Sequence, residues 1–234
     1  MKYATNEQQK ELYSEEFAKS FNSHRINSNH MYKIEAIDSF FQPKDDHSVI
    51  CEFGAGTGIH ANYILQMHSH QIAKYYFVDL SEHMINIAKK TLQKFDPITE
   101  FFVREAEIYE PKIHDVDFLF CNGAMHHFQS PCQAINTFNK YLKPDGVLVI
   151  CEPQITCPYA FPRVIFQPIE YGQFRVRPHT VMQWLQQNGF TIIGSRYLHY
   201  RSNSKLFRFV VNFEKIKFLN FMSVMFLIAA TKRL

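Results

Sequence analysis

The sequence predicts an α/β fold: a seven-stranded, mostly parallel sheet with helices on both faces and a helical cap at the amino terminus. Three observations indicate this fold. Apolar strand-like runs alternate with helical segments, a glycine-rich turn follows the first run, and acidic side chains end later runs. In such a sheet the carboxyl ends of the parallel strands meet at one edge, where ligands bind.

The amino-terminal arm is predicted to be helical. Between Glu11 and Phe41, apolar and aromatic side chains recur at about helical spacing. We therefore assign residues 1–46 to the cap. Tyr13 and Phe17 of this arm either face a substrate or belong to the core.

A glycine-rich turn follows the first predicted strand. Three glycines occupy alternate positions there: Gly54, Gly56 and Gly58. Glycines let backbone amides approach a ligand closely, and the next helix directs its positive amino-terminal end toward anionic groups. The dinucleotide fingerprint G-x-G-x-x-G requires its third glycine at the position of Ile59. The acidic residue Glu52 lies two residues before the first glycine. It is a second feature that distinguishes this segment from a simple glycine turn.

Acidic or polar residues end the next predicted strands. Asp79 ends the second strand about 20 residues beyond the glycine turn, the spacing at which a carboxylate binds ribose hydroxyls. The third strand ends in the acid-Ala-acid sequence that begins at Glu105, and the fourth ends at Asn122. The fifth, predicted from Gly146, ends near Glu152 and follows a helix around Cys132 to Leu142 that a Lys-Pro-Asp-Gly turn closes.

In this order, the motifs resemble those of class I S-adenosylmethionine-dependent methyltransferases of the small-molecule type. This group includes ubiquinone-pathway, sugar and natural-product enzymes with a Rossmann-like sheet. The resemblance implies S-adenosyl-L-methionine as cofactor. It implies the following cofactor-binding residues: Glu52, Gly54, Ala55, Gly56, Gly58, Asp79, Leu80, Glu105, Ala106 and Asn122. Glu105 stands where the family more often has Asp, and Arg104 stands where a glycine is common.

Two adjacent histidines follow the fourth strand. Histidine titrates in the range that suits a general base, and a neutral hydroxyl acceptor must lose its proton during methylation. Similar pairs in the family imply that His126 or His127 is the base and that Glu152 supports it. Adjacent side chains diverge in extended backbone, so only one of them faces a pocket there. The pair lacks acidic or cysteine partners at ligand spacing, and no metal is predicted.

The chain is predicted to be one methyltransferase domain, residues 1–234. Residues 47–153 form the cofactor-binding half, the proline- and aromatic-rich residues 154–180 a substrate-side insertion, and residues 181–234 the carboxyl-terminal strands. The family resemblance implies that the last strand, Val224 to Thr231, is antiparallel. The apolar stretch before it is interrupted by charges and is too short to span a bilayer. It either packs as core, forms a homodimer contact or touches a membrane.

Charge and composition narrow the partners. The formal net charge is only +3, and the basic residues are dispersed, which argues against nucleic acid. The chain also lacks the Asn/Asp-Pro-Pro-aromatic motif of base-modifying relatives after the fourth strand. No apolar signal-peptide core follows Met1, so a cytoplasmic location is expected. Five cysteines without paired spacing indicate reduced thiols.

The expected reaction is methyl transfer to a small or lipid-linked acceptor, with a hydroxyl oxygen as the favoured target. Carbon methylation of a quinone or polyketide is the alternative within the same family, because an acidic carbon also needs only a base and alignment. Two alternatives belong to other functional classes: a non-catalytic adenosylmethionine-binding protein and a nicotinamide-binding protein.

Overall fold

The computed structural model describes residues 3–21, 28–43, 47–158, 161–199, 220 and 223–233. The strands are β1 Ser48–Phe53, β2 Ile72–Asp79, β3 Thr99–Val103, β4 Val116–Asn122, β5 Leu142–Pro153, β6 Phe190–Leu198 and β7 Met225–Lys232. The helices are α1 Asn6–Leu12, α2 Glu15–Phe21, α3 Ser28–Asp38, α4 Ile59–His68, α5 Glu82–Thr91, α6 Pro131–Tyr141, α7 Phe161–Phe166 and α8 Pro178–Gln187.

The seven strands form one sheet in the order β3-β2-β1-β4-β5-β7-β6. Strands β1 to β5 pair in parallel, and β7 lies antiparallel between β5 and β6. The predicted fold class and the predicted direction of the last strand are both confirmed. Strand order reverses between β1 and β4, which places a ligand crevice at the carboxyl ends of these central strands.

Apolar side chains cover both faces of the sheet. One face packs against α6 and α8 through Ile135, Phe138 and Leu185, all fully buried. The other packs against α3, α4 and α5, where Ile37 and Leu65 are buried. Buried apolar area is the main favourable term in folding, so the two layers fix the strands that carry the site.

The Lys-Pro-Asp-Gly segment differs from the prediction. It was expected to separate a helix from a strand that begins at Gly146, but β5 already begins at Leu142. Between two successive pairs, the register advances by five positions on β5, from Leu142 to Val147, but by only two on β4, from Val116 to Phe118. The turn therefore lies inside the strand pair as a bulge. Asp145 has a φ of 63°, which provides the local bend.

Helix α1 lies beside the crevice, α2 packs against α5, and α3 contributes to the core. Thr5 caps α1, because its side chain accepts a hydrogen bond from the Gln8 backbone amide at 3.2 Å. The Ser81 hydroxyl, which caps α5, donates to the Tyr13 carbonyl oxygen at 2.9 Å. The amino-terminal arm is thereby connected to the end of β2. The stretch 206–222 lies, apart from Asn220, outside the described residues.

None of the described helices is both long enough and apolar enough to cross a lipid bilayer. The five cysteines of the chain are all free thiols, and four of them are buried: Cys51, Cys121, Cys151 and Cys157. Burial raises the pKa of the Cys51 and Cys121 thiols well above the usual value, which keeps both in the neutral form.

Candidate active site

A pocket opens at the carboxyl ends of β1, β2 and β4. Eight of the ten residues expected to bind the cofactor line it: Gly54, Ala55, Gly56, Asp79, Leu80, Glu105, Ala106 and Asn122. Glu52 and Gly58 lie behind this wall. Helix α1 and the residue after it close one side with Asn6, Gln9 and Tyr13. The sheet topology therefore brings residues from five separate segments of the sequence into one cavity.

The glycine turn packs tightly against the segment after β4. Gly54 has a φ of 67°, and a Cβ built on it would lie 2.1 Å from the Ala124 Cβ atom. The Ala55 amide donates to the Val78 carbonyl oxygen at 3.2 Å, which ties the turn to β2. Gly58 packs against Ala88 of α5, so its role is to seat α4. Because the turn has no side chain beyond Ala55 and Thr57, its backbone is open to a ligand.

Asp79 joins the glycine turn to the end of β2. Its Oδ2 accepts a hydrogen bond from the Gly56 amide at 2.8 Å, and its Oδ1 accepts one from the Ser81 amide at 2.8 Å. Burial raises the pKa of Asp79 to about 6, although these backbone bonds oppose the shift. Each carboxylate oxygen has a further lone pair that can accept from a hydroxyl of a ligand in the pocket.

The segment after β3 supplies the next part of the wall. Glu105, Ala106 and Glu107 line the pocket there. Arg104 also lines the pocket; its guanidinium pairs with the Glu110 carboxylate at 2.8 Å, and its backbone amide donates to the Asp79 carbonyl oxygen at 3.0 Å. The arginine at this position therefore anchors the loop and leaves Glu105 beside the pocket.

A buried polar chain lies beneath the glycine turn. The Tyr75 hydroxyl donates to Glu52 Oε2 at 2.8 Å, and Glu52 Oε1 lies 3.0 Å from Nδ1 of His60. The Nε2 atom of His60 lies 3.0 Å from Nδ2 of Asn122. His60 and Asn122 line the pocket, so Glu52 connects to the pocket through them. Burial raises the pKa of Glu52 to about 8, with a smaller opposing effect of the Tyr75 hydroxyl.

Glu152 organises the segment after β4. Its Oε1 accepts from the Ala124 amide at 2.9 Å and from the Met125 amide at 2.7 Å. Its Oε2 lies 2.6 Å from Nδ1 of His126. Glu152 is fully buried and does not line the pocket, so it acts on the pocket through the backbone turn that it binds.

His126 lies between two carboxylates. Its Nδ1 faces Glu152, and its Nε2 lies 3.2 Å from Oε2 of Glu170, which also accepts from the Gln173 amide at 2.6 Å. Burial by itself lowers the pKa of His126, but both carboxylates outweigh it and raise the pKa to about 9. His126 is therefore a buried imidazolium at neutral pH, and its side chain does not line the pocket.

His127 is the histidine that borders the pocket. Its ring centroid lies 3.9 Å from that of His126 and 6.1 Å from that of Tyr13, in an edge-on contact with the tyrosine. The Gln9 side-chain amide donates to the His127 carbonyl oxygen. The backbone here is a 3-10 turn, Met125–His127, and not the extended backbone for which divergent side chains are expected, so the two rings lie together although only His127 lines the pocket.

Ligand atoms of His126, His127 and Glu170 lie within 4.8 Å of one another, a grouping that could hold a metal ion. The hydrogen-bond contact between His126 and Glu170 also explains why these two side chains lie together without a metal ion. The sequence-based expectation that the chain holds no metal stays a prediction.

Sequence reasoning missed three residues of the site. His60 follows the glycine turn at the start of α4, Gln9 lies in the cap, and Glu170 lies in a turn spanning Pro168–Phe174. None belongs to a recognisable motif, and Glu170 is 44 residues from His126 in the sequence. The one available signal was the position of His60 in the first turn of the helix that the glycine turn opens.

The pocket fits an adenosyl cofactor. Its floor is an exposed glycine backbone, one wall carries the Asp79 carboxylate, and the Glu105 and Ala106 loop lies beside it. These features together define an α/β protein of the methyltransferase class, in which a nucleoside-bearing ligand lies across the carboxyl ends of the strands.

A sequence profile described as a methyltransferase domain matches residues 22–195, about three quarters of the 234 residues. The chain therefore belongs to this methyltransferase family. It is an S-adenosylmethionine-dependent methyltransferase, and S-adenosylmethionine is its cofactor. The family assignment favours S-adenosylmethionine over a nicotinamide cofactor.

Two curated proteins illustrate the sequence similarity. A highly reducing polyketide synthase from Neocamarosporium betae is 30% identical over 115 residues, which cover 47% of this chain and 4% of the synthase. A ubiquinone biosynthesis O-methyltransferase from Coxiella burnetii is 23% identical over 133 residues, which cover 53% of this chain and 56% of that enzyme. The chain thus matches only part of the length of each relative.

Solved structures share the fold at low sequence identity. A chain in the complex between the Haloferax volcanii Trm112 methyltransferase activator and a methyltransferase has a TM-score of 0.73 at 11% identity, covering 94% of this chain and 97% of that chain. The CurJ carbon methyltransferase has a TM-score of 0.67 at 16% identity, covering 99% and 62%. These likenesses support the architecture of the sheet.

Proposed function

We propose that the chain methylates a hydroxyl oxygen of a small or lipid-linked acceptor, with His127 as the general base. The observation that carries this proposal is that His127 borders the same pocket as the glycine turn and Asp79. When bound, the cofactor supplies an activated methyl group on a sulfonium. The residues of the chain then need to orient the acceptor, exclude water and remove the hydroxyl proton.

Cofactor binding is proposed to use the residues that the sequence predicts. Asp79 accepts from the ribose hydroxyls, and Glu105 with Ala106 contacts the adenine. The backbone of Gly54, Ala55 and Gly56 faces the ligand. Leu80 and Asn122 complete the wall, whereas Glu52 and Gly58 act from behind it.

Positioning of His127 is proposed to come from its neighbours. Glu152 binds the backbone amides that precede the histidine pair, and the charged His126 ring is held on both sides by carboxylates. Because these groups are buried and hydrogen-bonded, the turn that carries His127 has little freedom to move. His126 and Glu152 are positioning residues in this scheme, and His127 is the one of the three that contacts the acceptor.

The ubiquinone biosynthesis O-methyltransferase from Coxiella burnetii supports oxygen as the target atom. A second candidate is carbon methylation of a quinone or polyketide, which the polyketide synthase relative and the CurJ carbon methyltransferase neighbour favour. The two reactions place the same demand on His127, because an acidic carbon and a hydroxyl both lose a proton. The two reactions differ in which acceptor atom, oxygen or carbon, the pocket holds in line with the methyl group of the cofactor.

One experiment separates the candidates. The protein is incubated with ¹³C-methyl-labelled S-adenosylmethionine and either a prenylated quinol or a β-ketoacyl thioester, and the products are analysed by NMR. A labelled methoxy carbon supports the first proposal, and a labelled methyl on carbon supports the second. Turnover with neither acceptor, under conditions in which the cofactor binds, would contradict both acceptor classes.

We also propose that the protein is cytoplasmic and forms a homodimer. The possible membrane or dimer contact of the carboxyl-terminal apolar stretch concerns residues 206–222, nearly all of which lie outside the described structure. Exclusion of nucleic acid as substrate rests on the small, dispersed positive charge.

A further inference from the structure

Arg175 binds the backbone directly after His127. It follows the turn Pro168–Phe174, and its guanidinium donates to the Gln129 carbonyl oxygen at 2.9 Å and to the Phe128 carbonyl oxygen. Phe128 lines the pocket, as His127 does. A guanidinium presents its donors as a planar fork, so one side chain can hold two successive carbonyl groups in a fixed direction.

The same guanidinium lies over an aromatic ring of the amino-terminal arm. The Arg175 Cζ atom lies 4.2 Å from the centroid of the Tyr3 ring. Burial lowers the pKa of Arg175, while Tyr3 and Glu107 oppose that effect, and arginine stays charged in proteins. A positive charge over the face of a ring is favourable. The Tyr3 ring therefore stabilises the guanidinium in the orientation in which it binds the two carbonyl groups.

Two further contacts connect the amino-terminal arm to the same loop. The Gln129 side-chain amide donates to the Ala4 carbonyl oxygen at 2.5 Å. The Gln9 side-chain amide donates to the His127 carbonyl oxygen. The three successive carbonyl groups from His127 to Gln129 are therefore all hydrogen-bonded by side chains from other segments, two of them by Arg175.

The turn Pro168–Phe174 also packs on the residue before His127. A Cβ atom built on Gly172 would lie 1.6 Å from the His126 carbonyl oxygen, so the two backbones are in direct contact. The Arg175 amide donates to the Gly172 carbonyl oxygen at 3.1 Å, which fixes the arginine relative to that contact. One short segment thus contacts the chain immediately before His127 and immediately after it.

We propose that Arg175 is a positioning residue for methyl transfer: by holding the two carbonyl groups after His127, it directs that side chain into the pocket. This inference rests on the proposed role of His127 as general base. Arg175 itself does not line the pocket, so it acts on the reaction through the backbone that it binds. Because misplacement of a catalytic group by about 1 Å can cost about 100-fold in rate, loss of these contacts lowers turnover and spares cofactor binding.

Arg175→Met tests this role, because methionine keeps much of the apolar stem and removes every donor. With S-adenosylmethionine and the prenylated quinol, we expect kcat to fall by about 10- to 100-fold and the affinity for S-adenosylhomocysteine to stay unchanged. Arg196→Met is the matched control and should keep the kcat of the wild type. Arg196 lies 4.9 Å from the centroid of the Phe40 ring and donates to the Ser39 hydroxyl at 3.1 Å, but it lies outside the pocket.

A double-mutant cycle with His127→Ala shows whether Arg175 acts through His127. We expect Arg175→Met to lower kcat in the wild-type background and to leave the kcat of His127→Ala unchanged, because the side chain that it directs is then missing. A contribution to folding alone would lower both rates. Losses that multiply in the double variant would therefore overturn the inference and leave the proposed base intact, whereas full turnover by His127→Ala would overturn the proposed base and this inference with it.

A second measurement needs no acceptor. The ring signals of His127 in ¹H–¹³C NMR spectra of the full chain with S-adenosylhomocysteine are identified by their absence in His127→Ala. We expect Arg175→Met to shift and broaden these signals and to leave those of the largely exposed His114 unchanged. Tyr3→Leu, which removes a ring that is 39% exposed and keeps Arg175, should shift them in the same direction by a smaller amount. His127 signals that are identical in the wild type and both variants would overturn the inference.

Discussion

The Glu152 carboxylate lies 2.6 Å from Nδ1 of His126, and neither side chain lines the pocket that His127 borders. Glu152 also accepts from the backbone amides of Ala124 and Met125. One buried carboxylate thus holds both the imidazolium and the backbone of the turn. The orientation of His127, the proposed base, depends on this arrangement.

The first prediction concerns the pH dependence of stability. The pKa of His126 is about 9 in the folded protein, above the usual value of 6.5. Its stabilising contribution is therefore complete below pH 6.5 and is lost as the pH rises through about 9, a change on the order of 3 kcal/mol. Urea unfolding of the cofactor-free protein at pH 6.5, 7.5 and 9 measures this loss.

Glu152→Gln isolates the contribution of the buried pair, because the amide keeps the size of the side chain and removes its charge. We expect the variant to be less stable than the wild type at pH 6.5 and the gap to narrow toward pH 9. Glu100→Gln is the matched control, since Glu100 forms a half-exposed pair with Lys74. Parallel pH profiles of the wild type and Glu152→Gln would contradict this account.

The second prediction separates the two histidines. His127→Ala should lower turnover by about 100-fold and leave the affinity for S-adenosylhomocysteine nearly unchanged, because a general base acts only on the acceptor. His126→Ala should lower turnover together with the free energy of unfolding, since it leaves two buried carboxylates without their partner. Steady-state kinetics, calorimetry and urea unfolding measure these three quantities.

His114→Ala is the control for this pair, because His114 is largely exposed and lies outside the pocket. Its turnover should match that of the wild type. If His127→Ala retained full turnover with a hydroxyl acceptor, the assignment of His127 as base would be wrong.

The third prediction concerns Asp79. Asp79→Ala should weaken the binding of S-adenosylhomocysteine by about 1 to 3 kcal/mol, because the ligand hydroxyls and the Gly56 amide lose a charged acceptor. Calorimetry with S-adenosylhomocysteine measures the change. Asp117→Asn is the control, since Asp117 also accepts from a backbone amide, that of Val49, but lies outside the pocket. An unchanged affinity in Asp79→Ala would show that Asp79 has no part in binding.

Local patterns were enough to predict that the glycine turn and Asp79 meet at one edge of the sheet. The glycine turn and Asp79 follow strands whose apolar runs are unambiguous, and the carboxyl ends of parallel strands necessarily meet. The antiparallel direction of the last strand needed the family resemblance, because the sequence pattern does not give strand direction.

Other parts of the site depend on tertiary packing. The choice between His126 and His127 follows from the position of Glu170, which comes from a segment with no motif. The bulge at the start of β5 was missed, because Lys-Pro-Asp-Gly has the composition of a turn and only the pairing with β4 shows that the strand continues. His60 was missed since its partners, Glu52 and Asn122, lie on two different strands.

The last prediction compares two glycines that follow neighbouring strands. Gly54 and Gly123 have nearly equal φ angles, 67° and 66°, so an alanine at either position meets the same backbone strain. A Cβ on Gly54 would lie 2.1 Å from the Ala124 Cβ atom, whereas a Cβ on Gly123 has no neighbour within 4 Å. Gly123→Ala should therefore cost about 1 kcal/mol, and Gly54→Ala about 2 to 5 kcal/mol.

The double variant Gly54→Ala/Ala124→Gly tests whether the clash is the cause. Removing the Ala124 methyl group makes room for the new Cβ atom, so the double variant should recover all but the backbone strain of about 1 kcal/mol. Ala124→Gly alone is the control for the loss of that methyl group, and urea unfolding of the wild type and these three variants completes the cycle. Additive losses in the double variant would show that the turn and the segment after β4 do not press on each other, and the close packing proposed for the floor of the pocket would then be wrong.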